Sequence, residues 1–289
     1  MHTIALVGNP NSGKTTLFNA LTGSTAYVGN WPGVTVEKKE GMTNGHKILD
    51  LPGIYSLSPY SPEEKISRRY ILDEQPDLII DVIDATNLER SLYLSTQLAE
   101  LGRPLLLVLN MEDLLIKDGI AIDTKRLSQM FGTPVVQISA TKKTGIDELK
   151  EQIEQSLANP QTPPCPLFSS SIERKLTTLI EDDYLHDIPQ GRQMRWAAIK
   201  LLEGDELFLE TMPPIPPELN TYLEETRAHL EELYDDDVES IIVDQRYKVA
   251  EKLARESLVR QEVKAKRFTF DVIATHRIWA IPLFILIMS

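Results

Sequence analysis

The chain has 289 residues, 42% of them hydrophobic and 25% charged, which is ordinary globular composition and enough for about two domains. A net charge of −13 argues against nonspecific nucleic-acid binding, because attraction to phosphates supplies most of that affinity. The single cysteine, Cys165, excludes an internal disulfide and a CxxC metal site.

The predicted elements alternate from the start. Ile4–Val7 is an apolar run that feeds a glycine-rich loop, and a helix is predicted over Thr15–Leu21. Val34–Lys39 and Lys47–Leu51 flank Asn44-Gly45 and read as a hairpin. Leu78–Ile83, Pro104–Leu109 and Val135–Ile138 are continuous apolar runs of strand length, as suits a parallel sheet covered on both faces. Amphipathic helices are predicted between and after them at Glu63–Leu72, Leu88–Leu101, Thr124–Phe131 and Ile146–Leu157. The pattern is α/β, a doubly wound and mostly parallel sheet of the P-loop type, over residues 1–158. Four prolines in Asn159–Pro166 then break it, and 159–170 reads as a linker. Beyond it the reading is a small all-helical domain, 171–267, with helices at Ile172–Asp183, Met194–Leu202, Pro217–Tyr234 and Val238–Arg267. The acidic triplets Glu181–Asp183 and Asp235–Asp237 read as solvated helix ends rather than cation sites.

Charge is unevenly spread: net −5 over 1–160, −13 over 161–245 and +5 over 246–289. The basic stretch, with Lys264, Lys266, Arg267 and Arg277, precedes the most apolar run, Ile278–Ser289. That run is shorter than the ~20 residues of a spanning helix. It reads as a C-terminal core helix or, favoured by its basic flank, as the start of a membrane segment, with 268–289 as the juxtamembrane stretch.

Gly8, Asn9, Pro10, Asn11, Ser12, Gly13, Lys14 and Thr15 follow a strand and open a helix, the context of a phosphate-binding loop, and Thr16 sits beside them. Glycines let the backbone wrap the phosphates, and the helix N-terminus adds positive field. Lys14 is suited to the β- and γ-phosphates and the Thr15 hydroxyl to Mg2+. Asp50-Leu-Pro-Gly53 supplies a carboxylate for Mg2+ and, at Gly53, a backbone N–H open to the γ-phosphate. Between the two, Gly33, Val34 and Thr35 offer a further hydroxyl for Mg2+. Asn110-Met111-Glu112-Asp113 follows another strand. One carboxylate, Asp113, matches the N1–H and N2–H2 donors of guanine, which adenine lacks, and Asn110 would fix the base edge. After the last strand of the alternation, Ser139, Ala140 and Thr141 offer backbone N–H to the guanine carbonyl.

These five elements resemble the five motifs of the Ras-like, translation-factor-type GTPases. More narrowly, Tyr27–Glu37 together with Asp50–Leu57 resembles the ferrous iron transport protein B family, as does the order of glycine-loop domain, helical domain and apolar onset. The resemblance implies GTP binding and slow hydrolysis with Mg2+, on the cytoplasmic face of a bacterial inner membrane. It implies a multi-pass iron transporter, anchored by the C-terminal segment, with small accessory iron-transport proteins as possible partners and no nucleic acid. It also implies activation by K+, with Asn11 as side-chain ligand and Gly29 and Trp31 as backbone ligands. Two departures from the Ras pattern stand out: Met111 replaces the usual lysine, and Ile54 stands where Ras has its water-orienting glutamine. Catalysis would then rest on Asn11, Lys14, Thr35 and Gly53. A soluble GTPase acting on RNA or the ribosome is the alternative reading; a P-loop ATPase is disfavoured by Asn110 and Asp113. The five histidines, His2, His46, His186, His229 and His276, lack metal-ligand spacing.

Overall fold

The computed structural model describes residues 1–23, 26–32, 34–58, 60–181 and 194–260. Gly33, Asp182, Asp183 and the C-terminal basic and apolar stretch lie outside the described residues, with the expectations attached to them.

Seven strands form one sheet: β1 (Thr3–Gly8), β2 (Tyr27–Asn30), β3 (Glu37–Thr43), β4 (His46–Asp50), β5 (Leu78–Asp84), β6 (Leu105–Asn110) and β8 (Val135–Gln137). Their spatial order is β2-β3-β4-β1-β5-β6-β8. The pairs among β4, β1, β5, β6 and β8 are parallel, while β2–β3 and β3–β4 are antiparallel. The sheet is covered by α1 (Lys14–Thr22) and α6 (Ile146–Ala158) on one face. On the other lie α2 (Pro62–Asp73), α3 (Leu88–Glu100) and α5 (Thr124–Phe131). Alternation along β1 shows why both faces are filled. Ile4 and Leu6 enter the α1/α6 core with Leu17, Phe18 and Leu149, whereas Ala5 and Val7 enter the opposite core with Leu92 and Leu98.

That second core does not stop at the sheet domain. It continues into the helical region through Trp196, Leu201 and Ile242. The helical region comprises α7 (Ser170–Glu181), α8 (Met194–Glu203), α9 (Glu206–Leu209), α10 (Pro217–Tyr234) and α11 (Val238–Ser257). Residues 159–169 dock rather than swing free: Leu105 N–H donates to the Gln161 carbonyl (3.3 Å), and Arg195 Nε donates to Cys165 Sγ (3.0 Å).

A buried chain of charges crosses the boundary. Arg246 of α11, 1% exposed, pairs with Glu100 of α3 (2.8 and 2.9 Å) and with Glu203 of α8 (2.6 Å). Lys200 links Glu203 (2.6 Å) to Asp205 (3.4 Å), and Asp205 holds Arg68 of α2 in a two-bond fork (2.6 and 2.8 Å). Burial alone would raise the carboxyls of Glu203 and Asp205, yet Arg246 and Lys200, and Arg68 and Lys200, hold them below the usual range.

Three sequence expectations are corrected. The strand expected from Val34 begins at Glu37, and an unforeseen strand, β2, pairs with it. The turn from Trp31 to Val36 closes on itself first, with Trp31 N–H on the Val36 carbonyl (2.9 Å) and Val34 N–H on the Trp31 carbonyl (3.3 Å). The long helix expected to Arg267 ends at Ser257, whose hydroxyl turns back onto the Leu253 carbonyl (2.7 Å). The chain then forms a strand, β9 (Leu258–Arg260), so the region beyond the linker is not all-helical. β9 pairs with β7 (Ile120–Ile122), a second short strand that the sequence did not announce. Asp235 and Asp237 are helix ends, as expected: Asp235 closes α10 in a left-handed conformation, and Asp237 caps α11 through Ser240 N–H (2.9 Å).

Asp81, in the centre of β5, is 1% exposed and accepts a bond from Ser95 Oγ (2.5 Å). Burial raises its carboxyl from 3.8 to about 7, against the opposing effect of the Ser95 bond. The folded state therefore holds this proton more tightly than the unfolded one. Its contribution to stability is complete below about pH 4 and is lost as pH rises through about 7. Asp81→Asn, which stays neutral, is expected to flatten that dependence and raise Tm at pH 8; melts of both proteins from pH 5 to 8 check this.

Candidate nucleotide site

The site lies at the C-terminal ends of β1, β4, β5 and β6. β1 ends at Gly8, and the loop to α1 turns through two left-handed residues, Asn11 (φ 66°) and Gly13 (φ 84°). Asparagine tolerates this conformation better than most residues. Gly13 has a second reason: a Cβ there would overlap the Asn110 amide nitrogen. No side chain caps α1, and its first turn carries no acidic residue. Its N–H groups thus face a cavity of about 550 Å3, bounded by the loop, Gly53, Asn110, Met111 and Thr141. Asn9, Pro10, Asn11, Gly13, Lys14, Thr15 and Thr16 all line it.

Asn110 ties three loops together. Its Nδ2 donates to the Ser12 carbonyl (2.8 Å), and its Oδ1 accepts from Ala140 N–H (2.9 Å). Beside it, Asp113 Oδ1 accepts from Ser139 Oγ (2.8 Å), which also lies 3.2 Å from Thr141 Oγ1. Met111, also left-handed (φ 70°), caps α4 (Glu112–Asp118) and places Asp113 in its first turn. Fixing these side chains before a base arrives lowers the ordering cost of binding.

At the other end, Lys14 Nζ pairs directly with Asp50 Oδ1, and Thr15 Oγ1 donates to Asp50 Oδ2 (2.8 Å). Burial is the larger influence on Lys14 and lowers its ammonium below the usual value, against the pull of Asp50. The hydroxyl and carboxylate oxygens together form a hard oxygen donor set suited to Mg2+. Two buried polar atoms of the loop, Asn9 Oδ1 and Ser12 Oγ, lack a partner among the described residues. A polar ligand over the loop suits them.

Gly53 is pressed against the loop, and a Cβ on it would stand 3.1 Å from Pro10 Cα. The next residue, Ile54, is 1% exposed, and its N–H bonds the Gly8 carbonyl (3.1 Å), so its side chain belongs to the core. Gly29, Trp31, Val34 and Thr35 are not brought to the cavity in this arrangement. Gly29 is in β2 opposite Lys38, the Trp31 carbonyl is taken by Val34 N–H, and the Trp31 ring packs edge-on against Tyr70.

Sequence reasoning missed the residues that brace the site from α3. Gln97 Oε1 accepts from Leu57 N–H (2.6 Å) and so holds the segment after Gly53, while Asn9 Nδ2 reaches Ser91 Oγ (3.5 Å). No local pattern announces them, since the partners lie 40 and 82 residues apart. His2 and His46 also come together, with His2 N–H on His46 Nδ1 (3.2 Å), but no cluster of three or more His, Cys, Asp or Glu side chains placed to hold a metal ion occurs among the described residues.

The fold and this loop set define a Ras-like P-loop GTPase domain followed by a helical region. A family model described as "Ferrous iron transport protein B" matches residues 2–153, and one described as "FeoB cytosolic helical domain" matches 168–259. The Fe(2+) transporter FeoB of Escherichia coli K12 is 39% identical over 301 residues, covering 99% of this chain and 37% of the transporter. A fusion of Fe(2+) transport protein A with FeoB from Porphyromonas gingivalis is 39% identical over 302 residues, covering 99% of this chain and 36% of the fusion. Among solved structures, a GDP-bound mutant of the S. thermophilus FeoB G domain superposes with a TM-score of 0.82 at 42% identity, covering 90% of this chain and 100% of that one. S. thermophilus NFeoB bound to GDP, AlF4− and K+ superposes with a TM-score of 0.77 at 43% identity, covering 88% and 100%. The chain belongs to the ferrous iron transport protein B family. It spans little more than a third of the length of these transporters.

Proposed function

We propose that the chain binds GTP and hydrolyses it to GDP and phosphate, and that this cycle serves ferrous iron uptake by a membrane transporter. The observation that carries the reading is one cavity lined by Lys14 and Thr15, both bonded to Asp50, and by Asn110, Met111 and Thr141, with the bonded pair Asp113 and Ser139 beside Asn110 and Thr141 in the same loops. Asp113 accepts the two donors of guanine, and Asn110 keeps the base loop against the phosphate loop. Ala140 and Thr141 continue the wall on the carbonyl side of the base, and Met111 covers its face with an alkyl chain in place of an ammonium.

Gly8–Gly13 cradle the phosphates, and Lys14 exchanges its pairing with Asp50 for the β- and γ-oxygens. Thr15 and Asp50 would hold Mg2+, and the Thr35 hydroxyl would join them with its loop at the nucleotide. Bound Mg2+ supplies positive charge against the oxygens on which charge develops as water attacks the γ-phosphorus. Gly53, free of a side chain, brings its N–H toward the same phosphate. Because Ile54 is committed to the core, hydrolysis has no glutamine there to orient water, and turnover is slow.

Asn11 is exposed at the rim of the loop, and its amide oxygen suits K+, with the carbonyls of Gly29 and Trp31 completing the shell after a rearrangement of β2. The K+ in the S. thermophilus complex supports this assignment. Phosphate release from GTP is expected to be about tenfold or more faster in KCl than in NaCl, and Asn11→Ala is expected to erase the difference; equal rates in the two salts for the unaltered chain would reject it.

A helical-domain model described as cytosolic, and relatives that are Fe(2+) transporters, support a cytoplasmic position on a bacterial inner membrane, and a fusion that joins protein A to FeoB supports small accessory iron-transport partners. No helix among the described residues is long and apolar enough to cross a membrane.

A further inference from the structure

Residues 161–245 carry 19 acidic and 6 basic side chains, so a cation there has carboxylates within easy reach. Three of the described cations are held by carboxylates or by carbonyls of a neighbouring helix. Arg195 pairs with Glu173, Lys200 pairs with Glu203, and Arg227 donates to the Leu201 and Leu202 carbonyls. Arg174 and Lys175 of α7 differ, since neither meets a carboxylate among the described residues. Arg174 Nε donates to the Ser170 carbonyl of its own helix (3.3 Å), and Lys175 Nζ lies 5.9 Å from the centre of the Tyr222 ring.

Both border one cavity of about 360 Å3 between α7 and α10, lined by Ser171, Arg174, Lys175, Thr178, Tyr222 and His229. Every lining residue carries a polar group and none is acidic. Glu225, one turn before His229, is exposed and is not part of the wall. Two hydroxyls are spent on α7 itself: Tyr222 OH donates to the Lys175 carbonyl (3.2 Å) and Thr178 Oγ1 to the Arg174 carbonyl (3.1 Å). Ser171 Oγ lies 2.6 Å from Tyr234 OH. The donors left for an occupant are therefore the terminal nitrogens of Arg174, Lys175 Nζ and the His229 ring. On α10, Thr226 is 1% exposed, and its Oγ1 has no partner among the described residues. It sits one turn from both Tyr222 and His229 on the same face of the helix. A polar occupant, or a water that it holds, supplies the partner this hydroxyl lacks.

We propose that this cavity binds a phosphate-bearing anion. A guanidinium fork, an ammonium and an imidazole from two helices match the oxygens of one phosphate, and charged donors make the stronger class of hydrogen bond. The wall is a positive recess in a stretch of net charge −13, so an anion repelled elsewhere on that region is drawn to this point. The phosphate of a membrane-lipid headgroup and free phosphate share this chemistry. No residue of the nucleotide cavity takes part, so phosphate recognition here is separate from that of the loop before α1.

The test uses the full chain, isotopically labelled at histidine and loaded with one equivalent of GDP, with the His229 ring signal in the NMR spectrum identified from His229→Asn. Inorganic phosphate and glycerol phosphate, the headgroup chemistry of a lipid, are titrated separately at fixed pH, with chloride at matched ionic strength as the reference. A saturable shift of the His229 signal is expected with either, and the tighter binder names the source. Arg174→Gln and Lys175→Gln are each expected to weaken binding about tenfold or more, the loss that follows from removing a charged hydrogen-bond donor, with Tm unchanged. Lys125→Gln, at an exposed lysine of α5 outside the cavity, is expected to leave binding as it was. A shift that never saturates, one that neither Arg174→Gln nor Lys175→Gln weakens, or one that Lys125→Gln weakens equally, overturns the site.

Discussion

Asp113→Ala is expected to weaken GDP binding by at least about a hundredfold. The carboxylate is the one group at the site that matches two adjacent donors on guanine. Hydrogen bonds to a charged group contribute roughly 1.5–3 kcal/mol each, so losing two corresponds to about 10^2–10^4 in affinity. The substitution also removes the partner of Ser139 Oγ, which lies 2.8 Å away. Asp113→Asn separates the two effects. Its amide oxygen keeps the Ser139 bond, but its amide nitrogen presents a donor to a guanine donor. Both variants are expected to lose GDP in a fluorescence titration, and Asp113→Asn is expected to melt at the parent temperature. A dissociation constant for GDP within twofold of the parent in both variants would contradict the assigned role.

Arg246→Ala is expected to cause the largest loss of stability. The guanidinium holds two carboxylates, Glu100 and Glu203, in a region from which water is excluded. Breaking a buried pair by removing one partner costs about 3–5 kcal/mol, because the other charge is left uncompensated. For a chain of this size that corresponds to a fall in Tm of roughly 6–20 °C. Glu203 keeps Lys200 (2.6 Å), so the charge left uncompensated is that of Glu100, and a buried carboxylate without its cation escapes the penalty by taking up a proton. The gap between variant and parent is therefore expected to narrow as pH falls from 8 toward 5.5, which parallel thermal melts measure. Glu203 in the parent enters only at lower pH, below this window. Its depressed carboxyl contributes stability that is present above the ordinary carboxylate range and lost as pH falls through its folded value.

The parts of this molecule that were legible in the sequence are those whose cause is local. Ile4–Val7 followed by Gly8–Thr15 is strand, loop and helix in one stretch, and the structure places all three there. The apolar runs at Leu78, Leu105 and Val135 became β5, β6 and β8, since runs buried on both faces read the same in sequence as in space. The loop after β6 was legible as a motif because its residues, Asn110 to Asp113, are consecutive.

What stayed hidden depends on distant partners. β7 and β9 are three residues each and exist only because they meet across 138 positions. Val238–Arg267 has an unbroken helical pattern, and nothing local says that Ser257 ends it. Arg246 reads in sequence as one more cation on the polar face of a helix; its burial follows from Glu100, 146 residues earlier. The same holds for the loop that carries Gly29, Trp31 and Thr35. Its motif was legible, but where it rests was decided by the antiparallel pairing of β2 with β3.

The buried charges and the site belong to one framework. α3 carries Ser91 and Gln97 toward the phosphate side and Glu100 toward Arg246, while α2 begins a short loop after Gly53 and delivers Arg68 to Asp205. α2 and α3 thus join both loops to the helical region by direct contacts in addition to the linker.

The most direct measurement is competition for a fluorescent GDP analogue by GTP, GDP and ATP in the presence of Mg2+. Displacement by GTP and GDP at concentrations at least about a thousandfold below that needed for ATP is the expected result, because a site built around the guanine donors rejects a base that lacks them. Displacement by ATP at concentrations comparable to GTP would contradict the assignment of Asn110 and Asp113, and with it the central claim that this cavity is a guanine-nucleotide site.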